Sequence, residues 1–255
     1  MIKREIKIFF TAVMFFTRIP CPSFTDHHPD YLNKSAKYFT LVGLLIGALC
    51  GLSFYLTALV FSKTIALLLS FVASMLLTGA FHEDGMADVC DGFGGGWTKL
   101  KILDIMKDSR VGTFGLVGLG LTLALKFAAL NELPTHLMVS ILISGHAISR
   151  LTSVTLIYTE EYAREDLLSK SKPLATQLST GNFLLATFFG IAPLLLFQNY
   201  WVFLSIVPLI IVKIYLTSFF NKWIGGYTGD CLGAVQQIAE VIFYLSLILI
   251  FKFTY

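Results

Sequence analysis

The feature that most constrains this chain is a series of seven apolar segments, each long enough to cross a membrane. A helix rises about 1.5 Å per residue, so about 20 apolar residues span the roughly 30 Å hydrocarbon core. Hydrophobic residues make up 56% of the chain and its mean hydropathy is +0.75, which excludes an ordinary soluble domain. We therefore predict an all-α fold, a polytopic transmembrane helix bundle with about seven spans, at approximately 38–60, 63–81, 112–130, 136–157, 181–199, 201–220 and 235–254.

A shorter apolar run, 8–17, follows the basic N-terminus. Ten residues are too few to span the bilayer, and Arg18 and Pro20 follow without a small-residue cleavage site, so we predict a retained helix at the membrane interface. The chain shows no internal repeat, low-complexity tract or separate soluble region. We treat residues 1–255 as a single integral-membrane domain.

The basic residues predict an orientation. With the N-terminus in the cytoplasm, sixteen of the nineteen Lys and Arg lie on or near the cytoplasmic side, Lys63 and Lys252 lie outside, and Lys126 lies within a span. The C-terminus is then outside. The three long polar loops, 82–111, 158–180 and 221–234, all fall on the cytoplasmic face, as expected for an active site.

The first of these loops opens with four carboxylates in nine residues, 83–91. If the segment is helical, Asp84, Asp88 and Asp91 fall within an arc of about 60° on one face. Such a face repels itself unless it holds a cation, and oxygen ligands indicate Mg²⁺ or Mn²⁺, which commonly bind substrate phosphates. Acidic runs of this kind are usually solvated loops. Here, however, only 14% of residues are charged, against about 25% in soluble domains. In a chain with so few charges, this concentration of acids favours a metal or substrate site.

Further along this loop, the glycines at 92 and 94–96 predict a turn, and Thr98 predicts the cap of a short surface helix through Ser109. Its end gathers side chains that suit phosphate oxygens, although the cations could instead anchor to anionic lipid headgroups. These side chains are Lys107, Asp108, Ser109 and Arg110.

The last polar loop holds four glycines between 225 and 234, which let the backbone approach a ligand, and Asp230 can add a carboxylate. Gln236, Gln237 and Glu240 follow at the start of the last predicted span. Lys126 either snorkels, pairs with an acid such as Glu240, or faces a substrate cavity, and the sequence leaves these three open.

Taken together, the motifs resemble those of the cobalamin-5′-phosphate synthase family, also called adenosylcobinamide-GDP ribazoletransferases. The resemblance extends from about residue 9 to 245. It departs from the family pattern at Phe16, where Leu is expected, and around Tyr162-Ala163-Arg164, which lacks the expected Pro before and Gly-Leu after. The motifs are His82-Glu83-Asp84-Gly85-x-x-Asp88-x-x-Asp91-Gly92, Ile105-Met106-Lys107-Asp108-Ser109-Arg110-x-Gly112, and Gly225-Gly226-Tyr227-Thr228-Gly229-Asp230-x-Leu232-Gly233-Ala234.

The resemblance implies a Mg²⁺-dependent transferase that joins adenosylcobinamide-GDP to α-ribazole or its 5′-phosphate and releases GMP. It implies a multi-pass protein of the bacterial inner membrane, with the bilayer as its surroundings and no nucleic-acid partner, and it leaves homo-oligomerisation open. The implied metal ligands are Asp84, Asp88, Asp91 and Asp230. The implied catalytic residues are His82, Glu83 and Asp91, and the implied phosphate-binding residues are Lys107, Asp108, Ser109, Arg110 and Arg164.

Two alternatives are weighed against this hypothesis. A CDP-alcohol phosphotransferase of phospholipid synthesis would use the same physics, but its motif has Ala-Arg after the first Asp-Gly and a wider later spacing, whereas Ala87 here precedes Asp88 and Asp91 follows three residues on. A cation-coupled transporter would place its acids within spans and show related halves, whereas the acids of this cluster lie at a cytoplasmic edge and the sequence shows no internal symmetry.

Overall fold

The computed structural model describes residues 2–25, 29–163 and 178–254. Within these ranges the chain is built from α-helices and short 3-10 helices, with an isolated bridge between Tyr162 and Tyr227 as the β-type pairing. The all-α prediction is confirmed. The helices are α1 (Ile2–Phe16), α2 (Pro29–Ser35), α3 (Phe39–Ala58), α4 (Lys63–Thr78), α5 (Phe81–Gly95), α6 (Lys99–Ile105), α7 (Thr113–Glu132), α8 (Met138–Thr159), α9 (Thr180–Ile191), α10 (Ile206–Ile224) and α11 (Gly229–Thr254).

Five helical stretches of the described chain are long and apolar enough to cross a membrane, and their positions match five of the predicted spans. A sixth is obtained if α4 and α5, which are bent by 89° to each other, count as one broken span. The predicted number of about seven is therefore not confirmed. The five stretches are Tyr31–Ala58, Thr113–Glu132, Thr135–Thr159, Tyr200–Ile224 and Gly229–Thr254.

Two predicted spans are not among these five: 63–81, whose helix α4 counts only as part of the bent pair, and 181–199. Here α9 ends at Ile191 and a 3-10 helix, Ala192–Leu196, continues it. Pro193 lies in this 3-10 helix, and proline has no N–H to continue an α-helical hydrogen-bond ladder. The segment is therefore a shorter apolar helix, Thr180–Leu196, and its prediction as a full span is not confirmed.

Helices α3 and α8 pack closely along their lengths because α3 presents glycines at successive turns. A Cβ atom added to Gly47 would lie 2.7 Å from the Cα of Ile143, and one added to Gly51 would lie 3.1 Å from Val139 Cγ1. In a bilayer, where lipid is as apolar as Leu, such small residues let helix backbones approach and gain dispersion contacts. The pair forms the centre of the bundle.

The two ends of the bundle differ in their connections. At one end Lys63 Nζ donates to the carbonyl oxygens of Asn131 and Leu133, at 2.5 and 2.6 Å, and Asn199 Nδ2 donates to Thr254 Oγ1 at 2.7 Å. The other end holds the α4–α5 bend and the starts of α7 and α11, and we call it the site end. The described parts of the three polar loops meet there, as predicted, since Gly85 packs against Asp230 and Tyr162 pairs with Tyr227.

The predicted N-terminal helix is present and longer than expected, since α1 runs from Ile2 to Phe16. Glu5 on α1 accepts hydrogen bonds from Lys37 Nζ at 2.6 Å and Tyr38 Oη at 2.8 Å, while Ile8 is buried. The salt bridge and the H-bond with Lys37 lower the pKa of Glu5. Helix α1 is thus tied to the segment that leads into α3.

Two local predictions need correction. The glycines at 92 and 94–96 do not form a turn: α5 continues through Gly95, and none of them has a positive φ. They allow close packing instead, because a Cβ on Gly92 would lie 2.5 Å from Met106 Cγ. The long polar loop predicted at 221–234 is also shorter, since α10 runs to Ile224 and α11 begins at Gly229.

Candidate active site

The acidic motif lies on α5, as its spacing predicts, and α5 starts at a sharp break in the backbone. Gly79 and Ala80 both adopt the left-handed conformation, with φ of 68° and 57°. This conformation is strained for alanine by about 1–3 kcal/mol, and such strain is concentrated at functional sites. Because of the break, α5 is not a continuation of α4 and its orientation has to be fixed by other contacts.

Consecutive residues of the motif point to different surroundings. Asp84 is exposed and Asp88, one turn later, is half-buried. His82 and Glu83 are only 2% and 6% exposed and lie against the interior of the bundle. His82 stacks on Phe39 of α3, with ring centroids 5.7 Å apart. The helix therefore has an outer face, bearing Asp84 and Asp88, and an inner face, bearing His82 and Glu83.

Asp91 connects α5 to the start of α7. Its carboxylate oxygens accept hydrogen bonds from the backbone N–H groups of Gly112, at 2.6 Å, and Gly115, at 2.8 Å. A carboxylate in this position satisfies otherwise unpaired N–H groups and interacts favourably with the helix dipole. Asp91 thereby places the basic turn that ends at Gly112 beside the acidic helix.

That turn, 107–112, carries the predicted phosphate-binding residues, and its cationic side chains are exposed. Thr98 caps α6 by accepting from Lys101 N at 3.3 Å, as predicted, but α6 ends at Ile105 rather than Ser109. Arg110 Nη2 donates to Asp108 Oδ2 at 2.6 Å, and these hydrogen bonds lower the pKa of Asp108 to about 2. The turn thus presents cations and a hydroxyl to solvent at the site end.

The start of α11 brings Asp230 to the acidic helix. Gly85 of α5 packs against it so closely that an added Cβ would lie 2.9 Å from the carbonyl oxygen of Asp230 and 3.3 Å from the Cα of Gly233. Asp230 is half-buried, and Thr228 Oγ1 lies 3.4 Å from its Oδ2. The residue that follows Asp84 in the chain is therefore in contact with the backbone of Asp230.

The glycine-rich loop before α11 is held by the chain that follows α8. Ala163 N donates to Tyr227 O at 2.8 Å, and Tyr227 N donates to Glu161 O at 3.1 Å. Gly226 adopts a φ of 145°, which a side chain would not allow. Arg164, the remaining predicted phosphate-binding residue, lies outside the described residues.

Behind the inner face, the structure answers the question that the sequence left open for Lys126. Lys126 Nζ lies 3.3 Å from Glu240 Oε2 and donates to Gln237 Oε1 at 2.8 Å. Glu240 also accepts from Tyr244 Oη at 2.8 Å and from Gln236 Nε2 at 2.6 Å. Lys126 therefore pairs with Glu240 inside the bundle. An ion pair in the membrane interior is costly to desolvate and usually serves a function.

Sequence reasoning missed two contacts at this site. Gln237 Nε2 donates to Glu83 Oε1 at 3.0 Å, across 154 residues of sequence, which no local pattern reveals. The backbone N–H of Arg18 donates to Leu77 O at 2.7 Å, and its side chain packs on Gly79, so that an added Cβ there would lie 3.1 Å from Arg18 Cζ. The signal available for Arg18 was its place in the segment Phe15-Phe16-Thr17-Arg18-Ile19-Pro20, which resembles the N-terminal signature of the family considered above.

A metal ion at this site would need several ligand atoms close together. The described part of the chain contains no group of three or more His, Cys, Asp or Glu side chains arranged to hold one. The chemistry of the donors nevertheless fits Mg²⁺, which takes oxygen ligands and usually keeps only one or two protein carboxylates beside substrate phosphates. Asp84 and Asp88, one turn apart on the outer face, meet that smaller requirement.

These features define a class, an integral-membrane enzyme whose carboxylates and cations gather at one end of a helix bundle. A family model for cobalamin-5-phosphate synthase matches residues 8–248, and the chain belongs to that family and is a transferase. An adenosylcobinamide-GDP ribazoletransferase of Shewanella frigidimarina is 49% identical over 248 residues, covering 96% of this chain and 95% of that protein. The transferase of Shewanella amazonensis is 44% identical over 254 residues, covering 98% of each chain. No solved structure matches the chain.

Proposed function

We propose that this protein joins adenosylcobinamide-GDP to α-ribazole or α-ribazole-5′-phosphate and releases GMP. A ribose hydroxyl oxygen bonds to the phosphorus that carries cobinamide, the bond from that phosphorus to GMP breaks, and the hydroxyl proton is taken up by a base. The observation that carries the proposal is the meeting of the acidic helix, the basic turn and the start of α11 at the site end. Family membership and the printed names of the relatives support the choice of substrates.

We propose that Asp84 and Asp88 hold Mg²⁺, with Asp230 beside them. When bound, the ion neutralises pyrophosphate charge, which is the main requirement of phosphoryl transfer. Two carboxylates on the exposed face leave coordination positions for phosphate oxygens. Asp91 remains a proposed ligand of the same ion. Because it accepts hydrogen bonds from Gly112 and Gly115, it also holds the basic turn close to α5.

The basic turn supplies the phosphate contacts in this proposal. Arg110 offers a planar fork of N–H donors, Lys107 a point charge and Ser109 a hydroxyl, all three of them exposed. Asp108 orients Arg110 because its two carboxylate oxygens accept hydrogen bonds from Nε and Nη2 of the guanidinium. Arg164 remains a proposed phosphate-binding residue, and it lies outside the described residues.

For the base, Asp91 and His82 stay the two candidates. Asp91 borders the outer face and the basic turn, whereas His82 is stacked on Phe39 inside the bundle, so Asp91 is favoured. Glu83, the third predicted catalytic residue, is directed into the bundle with His82. A positioning task for it is argued below.

The proposed location is the bacterial inner membrane, with the site end facing the cytoplasm. The excess of Lys and Arg near the site end supports this orientation, since basic loops remain on the cytoplasmic side. The alternatives lose support: a phospholipid-forming phosphotransferase because the family match is to cobalamin-5-phosphate synthase, and a transporter because the acids lie at a bundle end.

The experiment is GMP release by purified, detergent-solubilised protein given adenosylcobinamide-GDP and α-ribazole-5′-phosphate, with and without Mg²⁺. We expect release that requires the metal and is lost in Asp84→Ala. Release of CMP from CDP-activated lipid precursors instead would support the phospholipid alternative, and release of neither nucleotide would support a transporter. Replacing the phosphorylated riboside with free α-ribazole identifies the preferred acceptor.

A further inference from the structure

A network of buried polar side chains lies directly behind the acidic helix. It links Glu83 on α5 to Gln237 and Glu240 on α11 and to Lys126 on α7. Ser149 on α8 joins through Gln236, whose Nε2 donates to Ser149 Oγ at 3.0 Å. Hydrogen bonds therefore connect four helices at a depth where apolar side chains would have a lower desolvation cost.

Gln237 is the link between α5 and the rest of this network. Its amide nitrogen donates to Glu83 Oε1 at 3.0 Å, and its amide oxygen accepts from Lys126 Nζ at 2.8 Å. An amide offers both a donor and an acceptor, so one side chain connects the carboxylate to the ammonium group. Among the hydrogen bonds of the described residues, this is the one that holds the side chain of Glu83.

The network is closed to substrate. Glu83, Lys126 and Glu240 are only 6%, 5% and 2% exposed, and the cavity that they line has room for about one water molecule. A nucleotide or a riboside cannot enter such a space. Whatever Glu83 contributes to the transfer reaction must therefore act through α5 and not by contact with the reacting atoms.

The acidic helix needs such an anchor because of its position in the chain. The 89° bend at Gly79 and Ala80 separates α5 from the direction of α4. Neighbouring residues on a helix differ by about 100° in direction, so a small rotation of α5 would move Asp84 and Asp88 away from Asp230 and the basic turn. Glu83 precedes Asp84 by one residue, and its bond to Gln237 opposes that rotation.

We propose that Glu83 and Gln237 are positioning residues that set the rotation of the acidic helix and so the placement of its metal-binding and phosphate-binding face. The proposal rests on the proposed function for the identity of that face. It assigns Glu83 a role through Asp84 and Asp88 in place of a direct catalytic one.

The test compares Gln237→Leu with Gln236→Leu. The two glutamines are adjacent on α11, are 2% and 1% exposed, and each makes several buried hydrogen bonds, but in the described part of the chain only Gln237 of the two hydrogen-bonds to a side chain of α5. Three kinds of measurement are made on each variant. They are amide hydrogen exchange of peptide 81–95, Mn²⁺ affinity by electron paramagnetic resonance, and the kinetics of GMP release with kcat and KM determined separately.

We expect Gln237→Leu to speed exchange in 81–95 and to weaken Mn²⁺ binding and kcat by about 10- to 100-fold, the range found when supporting residues of metal sites are removed. Gln236→Leu should lower thermal stability to a similar extent and leave the other quantities within about threefold. Equal effects of both variants would mean a merely structural role and overturn the proposal, as would unchanged exchange in Gln237→Leu.

Glu83 provides an independent variant pair. Glu83→Gln keeps an oxygen acceptor for Gln237 and should retain kcat within about threefold, whereas Glu83→Leu should reproduce Gln237→Leu. Loss of turnover in Glu83→Gln with normal exchange in 81–95 would show that the charge itself is catalytic and would overturn the positioning role. Failure of the wild-type protein to release GMP would count against the proposed function alone, because the exchange comparison does not depend on turnover.

Discussion

The two faces of α5 use acidic residues in opposite ways. On the outer face Asp84 is exposed and Asp88 is half-buried, and Asp91 of the same helix binds the end of the 107–112 turn. On the inner face Glu83 is buried and bonded to Gln237, whose other end contacts Lys126. A carboxylate in water costs little to keep ionised and is available to a ligand, whereas one inside the bundle must be compensated by fixed partners.

The comparison teaches that residue type alone does not separate chemistry from architecture in this motif. Glu83 and Asp84 are neighbours, and both are acids in the same short run of sequence. Their difference comes from the side of α5 on which each lies, and that side is set by contacts with α11 and α7. The outer face is expected to govern turnover, and the inner face is expected to govern stability and placement.

The largest effect is expected for Asp84→Asn on the outer face. Removing one charged ligand of the proposed site should lower the rate of GMP release by about 10³-fold, because charge stabilisation is usually the dominant contribution to transfer. The melting temperature should stay close to that of the wild type, since Asp84 is exposed.

The matched control for Asp84 is Asp104→Asn, which changes an exposed aspartate on α6 in the same way. It should leave turnover within about twofold. Equal losses of turnover in the two variants would mean that Asp84 is no more important than another exposed carboxylate, and would contradict the prediction.

The next effect is expected at Asp91, which borders both faces. Asp91→Asn keeps one oxygen acceptor for the α7 backbone but cannot take up a proton, so kcat should fall by about 10²-fold if Asp91 is the base. Asp91→Ala should in addition lower the free energy of unfolding by about 1–2 kcal/mol, as losing a helix cap does. Steady-state kinetics measure the loss of kcat in the two variants, and thermal unfolding measures the loss of stability. Unchanged turnover in Asp91→Asn would mean that Asp91 is not the base and would leave His82 as the candidate.

The helices and the shared location of the three polar motifs could be predicted from the sequence, because both depend on local signals. Apolar length predicts spans, and the spacing of Asp84, Asp88 and Asp91 predicts a helix with an acidic face. The alternation of spans and loops predicted that the three loops share one end, and contacts between their described parts agree with it, while their cytoplasmic location stays a prediction.

The remaining features depend on distant partners or on a single backbone break. No residue at Gly79-Ala80 signals a change of direction by 89°, since both lie in an apolar run. The bond of Glu83 to Gln237 joins positions 154 residues apart, so the inner face of α5 was not predictable from periodicity. Periodicity defines which residues share a face but not which face is turned to the protein interior.

On the inner face, Lys126→Met is expected to act mainly on stability. It leaves Glu240 buried with its cation removed, which should lower the free energy of unfolding by about 3 kcal/mol, while turnover of the folded fraction falls less than about tenfold. Lys213→Met is the control: it breaks a pair with Glu160 at 3.4 Å that is more exposed, and should cost less than about 1 kcal/mol. Equal destabilisation of the two variants would mean that the interior pair has no special cost, and the contrast between the faces would lose its energetic basis.

The smallest effect is expected for Arg110→Ala on the turn opposite the outer face. Arg110 is exposed, so stability should not change, while KM for adenosylcobinamide-GDP should rise by about three- to tenfold through the loss of one charge-assisted phosphate contact. The hydrogen bonds from Arg110 lower the pKa of Asp108 from 3.8 to about 2, so the pair is intact above about pH 4 and is lost only as the pH falls through about 2. The ratio of the variant KM to the wild-type KM should therefore be constant from about pH 5 to pH 9, as measured by initial rates. A ratio that changes within that window would mean that another titrating group, and not the Asp108–Arg110 pair, controls the contact with phosphate.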